Sequence, residues 1–150
     1  MDNENNFRHS FTVNVPAEEV LEYVNRVPDW WATNFEGSSN KLHDIFTVRF
    51  GDVTVDFMII EFIPDRKIVW LVTDCNLDWL DDKKEWKDTK IVWEVMTIKN
   101  LTQLSMTHEG LVPELECYED CKEGWNFHVG ESLFRLITEG IGMPDVNTRE

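Results

Sequence analysis

At 150 residues, 42% of them apolar and with seven Trp and nine Phe, the chain suits one domain that buries about 70% of the surface its unfolded form exposes. Twenty-nine acidic residues against 14 basic ones leave a net charge of -15, which repels nucleic-acid phosphates and an anionic membrane surface alike. No apolar run approaches the ~20 residues that span a bilayer, and the opening MDNENNFRH is polar, so the expectation is a cytoplasmic protein with reduced thiols at Cys75, Cys117 and Cys121.

Residues Phe7 to Val15 alternate, with Phe11, Val13 and Val15 on one side, and stop at Pro16, which suits the first turn of a helix. Ala17 to about Val24 carries Val20, Leu21 and Val24 at helical spacing, and Pro28-Asp29 starts a second short helix holding Trp30 and Trp31. Strands over Leu42 to Phe50 and Val53 to Ile63 flank Gly51-Asp52, the signal of a two-residue hairpin turn. Pairing Phe50 with Val53 collects Phe46, Val48, Val55 and Phe57 on one face and Thr47, Arg49, Thr54 and Asp56 on the other. Pro64-Asp65-Arg66 turns the chain into a strand from Lys67 to Thr73, and Asp74 to Asp88 reads as an irregular charged stretch, either a lid or a solvated loop. Thr89 to Ile98 and Leu101 to Glu109 flank the Lys99-Asn100 turn. With Ile98 opposite Leu101, the faces separate Ile91, Trp93, Val95, Leu104, Met106 and His108 from Glu94, Gln103, Ser105, Thr107 and Glu109.

After Pro113, acidic first turns open a helix from about Glu114 or Glu116 to Gly140, about 37 Å long at ~1.5 Å per residue. Its inward stripe is Tyr118, Cys121, Trp125, Val129, Ser132 and Leu136, flanked by His128 and Leu133. Phe127 and Phe134, one heptad apart, fall on the opposite side and suggest a homodimer or partner surface. Gly124 and Gly130 inside this helix each cost about 1 kcal/mol relative to Ala, which a close approach or a bend would explain. The predicted fold is α+β: a curved antiparallel sheet of about six strands wrapped around a long C-terminal helix, two short helices following the first strand. One domain covers 1–150, with an ordered core over about 7–143.

Four segments carry a resemblance: FTVNVPAEEVLEYV, FIPDRKIVW, EWKDTKIVWEV and THEGLVPELECYEDCKEGWNFHVGESLFRLITEGIGMP. Through them the chain resembles the START-like, helix-grip proteins related to the activator of the heat-shock-protein-90 ATPase, over nearly its whole length. The resemblance implies a sheet that grips the last helix around a cavity. It also implies a spread of functions: ligand carriers, lipid-transfer modules, cyclase-like enzymes and co-chaperones that act on a chaperone ATPase.

The residues expected to line a ligand cavity are Trp31, Phe57, Trp70, Trp93, Met106, His108, Tyr118, Cys121, Trp125, His128 and Ser132, bulky apolar walls with a few polar groups. The expected ligand is a small apolar or amphipathic molecule. His108 and His128 are the inward titratable groups, suited to orienting a ligand or to proton transfer; the alternative is a core histidine satisfied by a backbone group or the Tyr118 hydroxyl. Cys117, Cys121 and His128 lack the spacing of a closed metal site, and buried free thiols account for the cysteines. No phosphate loop, dinucleotide fingerprint or nucleophile elbow occurs, and no cofactor or metal is expected. Three readings remain at this point: a binding module, a co-chaperone, and a cyclase- or dehydratase-like enzyme using a pocket histidine.

Overall fold

A computed structural model describes residues 5–145. Strand β1 (Phe7–Val13) leads through Pro16 into helices α1 (Ala17–Asn25) and α2 (Val27–Trp30). Six strands follow: β2 (Phe35–Gly37), β3 (Ile45–Phe50), β4 (Val53–Ile63), β5 (Lys67–Asn76), β6 (Lys90–Ile98) and β7 (Leu101–Glu109). The closing helix over 118–139 is built of α3 (Tyr118–Phe127), a π-helical segment (His128–Leu133) and α4 (Phe134–Glu139).

Among the described residues the strands form one sheet in the order β1-β7-β6-β5-β4-β3-β2, and every pairing is antiparallel. Both hairpin registers agree with the sequence: Phe50 lies opposite Val53, and Ile98 opposite Leu101. The seventh strand is β2, three residues paired with β3 at the sheet edge. Gly37 in it has φ +102°, and a Cβ there would lie 2.3 Å from the Ile45 carbonyl oxygen, so only glycine permits this approach. Between Asp56 and Phe57, and again between Ile59 and Glu61, the β4–β5 register slips. Such bulges bend a strand and sharpen its twist, and here they curl the sheet around the closing helix.

That helix presents Cys121, Trp125, Val129, Ser132, Leu133 and Leu136 as its buried side, in agreement with the stripe read from the sequence. Its start differs. The helix begins at Tyr118 rather than at 114–116 because the Glu85 carboxylate accepts the backbone N–H groups of Glu116 and Cys117, at 3.0 and 3.1 Å. An anion from a distant loop thus satisfies donors that a helix start leaves unpaired. Each residue of a π turn advances less around the axis than in an α turn, so Phe134 does not share the outer side of Phe127. Phe134 packs edge-to-face on Phe11 at 5.2 Å and is half-buried, whereas Phe127 stays 42% exposed. Gly130 explains itself by close approach, since a Cβ there would meet the His9 ring at 2.9 Å.

Beyond Gly140 the chain folds back. Gly142 passes so close to α2 that a Cβ would lie 2.3 Å from the Asp29 carbonyl oxygen. Asp145 N–H donates to the Trp31 carbonyl at 2.8 Å, and Thr33 N–H donates to the Asp145 carbonyl at 2.9 Å. Ser132 ties the same region together: its Oγ donates to the Trp30 carbonyl at 2.7 Å and accepts the Met143 N–H at 2.6 Å.

Candidate functional site

Between sheet and helix the resemblance implies a cavity, but aromatic rings are packed into that space. Trp70 is packed by Phe46 at 5.0 Å, Trp93 at 5.2 Å and Phe57 at 5.3 Å, and Trp30 closes on Trp93 at 5.6 Å. Several of these contacts are edge-to-face, the arrangement that aromatic quadrupoles favour. The indole N–H groups of Trp70 and Trp93 have no acceptor in this packing, a cost of about 1–3 kcal/mol for each donor left unpaired.

What remains open is nearer the surface. A pocket of about 90 Å³ lies between α3, Trp31 and the 77–86 loop, walled by Trp31, Phe50, Trp79, Trp86 and Trp125, with Cys121, Gly124 and His128 along the helix. Trp31 joins this pocket to the filled core, lying 4.9 Å from the Trp125 ring and in a parallel stack 6.4 Å from Trp70. Trp86 stacks on Trp125 at 5.8 Å. Trp79 is 45% exposed at the mouth and donates Nε1–H to Asp120 Oδ2 at 3.2 Å. The 77–86 loop is anchored by the buried Leu77, Leu80 and Trp86, while Asp78, Trp79 and residues 81–84 stay exposed.

His108 holds the back of this wall. Trp125 Nε1–H donates to His108 Nδ1 at 3.0 Å, and His108 Nε2 lies 2.9 Å from Thr89 Oγ1. Thr89 Oγ1 spends its own proton on the Trp86 carbonyl at 2.6 Å. Thr89 must then accept from Nε2–H, so His108 is a neutral imidazole with Nδ1 as acceptor. Full burial agrees, holding its pKa down to about 3. Of the two readings of His108, the core histidine stands, satisfied by Trp125 and Thr89 rather than by Tyr118.

His128 differs. Burial lowers its pKa to about 4, so it too is neutral at pH 7, but its Nδ1 is buried with no hydrogen-bond partner and the ring borders the pocket. Trp86 Nε1 likewise lacks an oxygen or nitrogen acceptor; its neighbour, the Cys121 sulfur, is a weak one. Contact with the Cys117 thiol, and then burial, push the Cys121 thiol far up, which removes it as a nucleophile. Gly124 contributes space: a Cβ built on it meets nothing within 4 Å. The expectation of a close neighbour at Gly124 is thereby corrected.

Of the expected lining residues, Trp31, Cys121, Trp125 and His128 border the pocket. Phe57, Trp70, Trp93 and Met106 do not; they are wholly buried in the packed core. His108 supports Trp125 from behind, Ser132 is consumed by Trp30 and Met143, and Tyr118 sits under Lys122, 5.9 Å from its ring centroid. Sequence reasoning missed Trp79 and Trp86, which stand among charged residues in a stretch without periodicity. The usable signal was two tryptophans in a loop otherwise composed for solvent.

No protein-family model matches this sequence, nor does the sequence of any curated protein. Solved structures do match in shape. The Aha1 dimer from Colwellia psychrerythraea aligns with a TM-score of 0.69 at 16% identity, over 92% of this chain and 96% of that one. A protein of Staphylococcus saprophyticus aligns at 0.70 and 15% identity, over 94% and 98%. DynU16, from the dynemicin biosynthetic locus, aligns at 0.66 and 19% identity, this chain spanning 49% of its length. The chain has the START-like helix-grip fold. Within that frame indoles fill space between sheet and helix from the sheet side, and an open part lies at the end where the 77–86 loop meets α3.

Proposed function

We propose that this chain is a single-domain cytosolic binder of a small, flat, apolar molecule carrying one polar group, taken up between Trp31, Trp86 and Trp125. The observation that carries this reading is an apolar pocket bordered by His128, whose buried Nδ1 has no hydrogen-bond partner. A buried polar atom without a partner is costly, and a ligand's hydrogen bond would remove that cost. The pocket volume falls below the roughly 300 Å³ where drug-sized sites begin, which favours one- or two-ring compounds over a lipid chain. Gly124 adds support, because a mid-helix glycine costs about 1 kcal/mol relative to Ala and here keeps the space clear.

The proton-transfer reading loses one of its two bases, since both nitrogens of His108 are engaged. Self-association, suggested by a dimeric neighbour, would rest on Phe127 without Phe134. A chaperone-activating role would use outer surfaces and not this pocket.

Thermal unfolding and tryptophan emission, read together across a set of one- and two-ring aromatics, test the binding role. At 100 times its dissociation constant a ligand adds about 2.7 kcal/mol of stability and perturbs the indole emission. Gly124→Leu, whose Cβ would meet nothing within 4 Å and whose longer chain enters the pocket, is expected to abolish both responses while the protein stays folded. A set that moves neither signal, or a Gly124→Leu protein that binds as well as the parent, removes this function.

A further inference from the structure

The face of the sheet turned away from the helix carries a groove of about 450 Å³, within the size range of small-molecule sites, about 300–1,000 Å³. Arg8 of β1, Arg66 of the β4–β5 turn and Lys67 of β5 border it, with Glu94 of β6 as its one carboxylate. In a molecule of net charge -15, this is a local reversal of sign.

Acids outnumber bases two to one in this sequence, so arginines would be expected to find carboxylates. Among the described residues, neither Arg8 nor Arg66 has one within ion-pair distance. Lys67 reaches Glu61 only at 3.8 Å. Arg8 is steadied instead by a neutral group: its Nη2–H donates to Ser105 Oγ at 3.3 Å, and Ser105, 5% exposed, lies 2.9 Å from the Ser10 hydroxyl. Among the described residues the remaining guanidinium donors of Arg8 have no partner, and their fork geometry suits a carboxylate or phosphate.

The groove is also partly apolar. Ile63 and Met96 border it at 40% and 59% exposure. Alternation along the β6–β7 hairpin puts Ile98 and Leu101, each 42% exposed, on the same face beyond Met96. Exposed apolar side chains continuing from a cationic site mark a surface for an amphiphile.

We propose that this outer groove binds the carboxylate or phosphate head of a small soluble amphiphile, whose apolar body lies on Ile63 and Met96. The net charge of -15 repels the extended field of an anionic bilayer more than a single small anion, so the head is taken to belong to a soluble molecule. The site is independent of the indole pocket and stands whether or not that pocket binds anything.

Titration calorimetry with octanoate, octyl phosphate and octanol, all below any micelle-forming concentration, tests it. One-site binding of the two anions is expected, weakening with salt, and at least tenfold weaker for octanol. Arg8→Gln and Arg66→Gln should each weaken the anions about tenfold, and Glu94→Gln should tighten them. No tryptophan borders the groove, so the emission should not change, and Gly124→Leu should bind as the parent does. Equal affinity for octanol, indifference to both arginine substitutions, loss of binding in Gly124→Leu, or binding to phosphatidylglycerol vesicles without binding to the monomeric anions would each overturn the assignment.

Discussion

Protonating His108 would set an Nδ1–H against the Trp125 Nε1–H that Nδ1 now accepts, in a place where no exposed surface admits water. The folded pKa is therefore low, about 3, and that of His128 is about 4, against about 6.5 in an unfolded chain. The sign follows from proton uptake. Below pH 6.5 the unfolded state binds protons that the folded state refuses, so stability is greatest above that pH and falls as the solution is acidified. Each histidine contributes a slope of about 1.4 kcal/mol per pH unit between its two pKa values. Urea unfolding between pH 7 and 5, a window where few carboxylates titrate, should show this loss, and His108→Asn, which cannot titrate, should show about half the slope. An unchanged slope in His108→Asn would contradict the low folded pKa of His108.

The start of α3 depends on a residue 31 positions away, because Glu85 supplies the acceptor for Glu116 N–H. Local capping residues are absent there; Cys117 makes no side-chain cap. Removing a helix-start acceptor costs about 1 kcal/mol, so Glu85→Ala should lose about that in chemical denaturation. Faster amide exchange at Glu116 and Cys117 should accompany the loss, with Glu85→Gln retaining part of the protection. Were Glu85→Ala as stable as the parent, with both amides still protected, the cap would be incidental. The same dependence on a distant loop explains why the first acidic turns, read as helix from 114–116, instead form turns ahead of Tyr118.

Taken as one charged body, the molecule sets a net charge of -15 against six ion pairs among the described residues, five of them with both side chains at least a third exposed. Exposed pairs contribute about 0–1 kcal/mol each, while the unpaired acids repel one another throughout. Repulsion should dominate the salt response. Raising NaCl from 10 to 150 mM shortens the screening length from about 30 to about 8 Å and is expected to raise the melting temperature at pH 7. A fall would mean that attraction between charges outweighs the excess of acid.

Strand faces, both hairpin registers and the buried stripe of the last helix were legible from residue order, since alternation and helical spacing are local properties that burial then follows. Strand β2 left no such mark, being three residues long with a positive-φ glycine at its end. Whether the enclosed volume would be empty was not legible at all. That depends on how Phe46, Phe57, Trp70 and Trp93, distant in sequence, divide one space among their rings. The fates of His108, Ser132 and Trp86 were settled in the same way, by partners on other elements: a polar atom's position in the chain tells which way it points, and only folding brings the group that does or does not meet it.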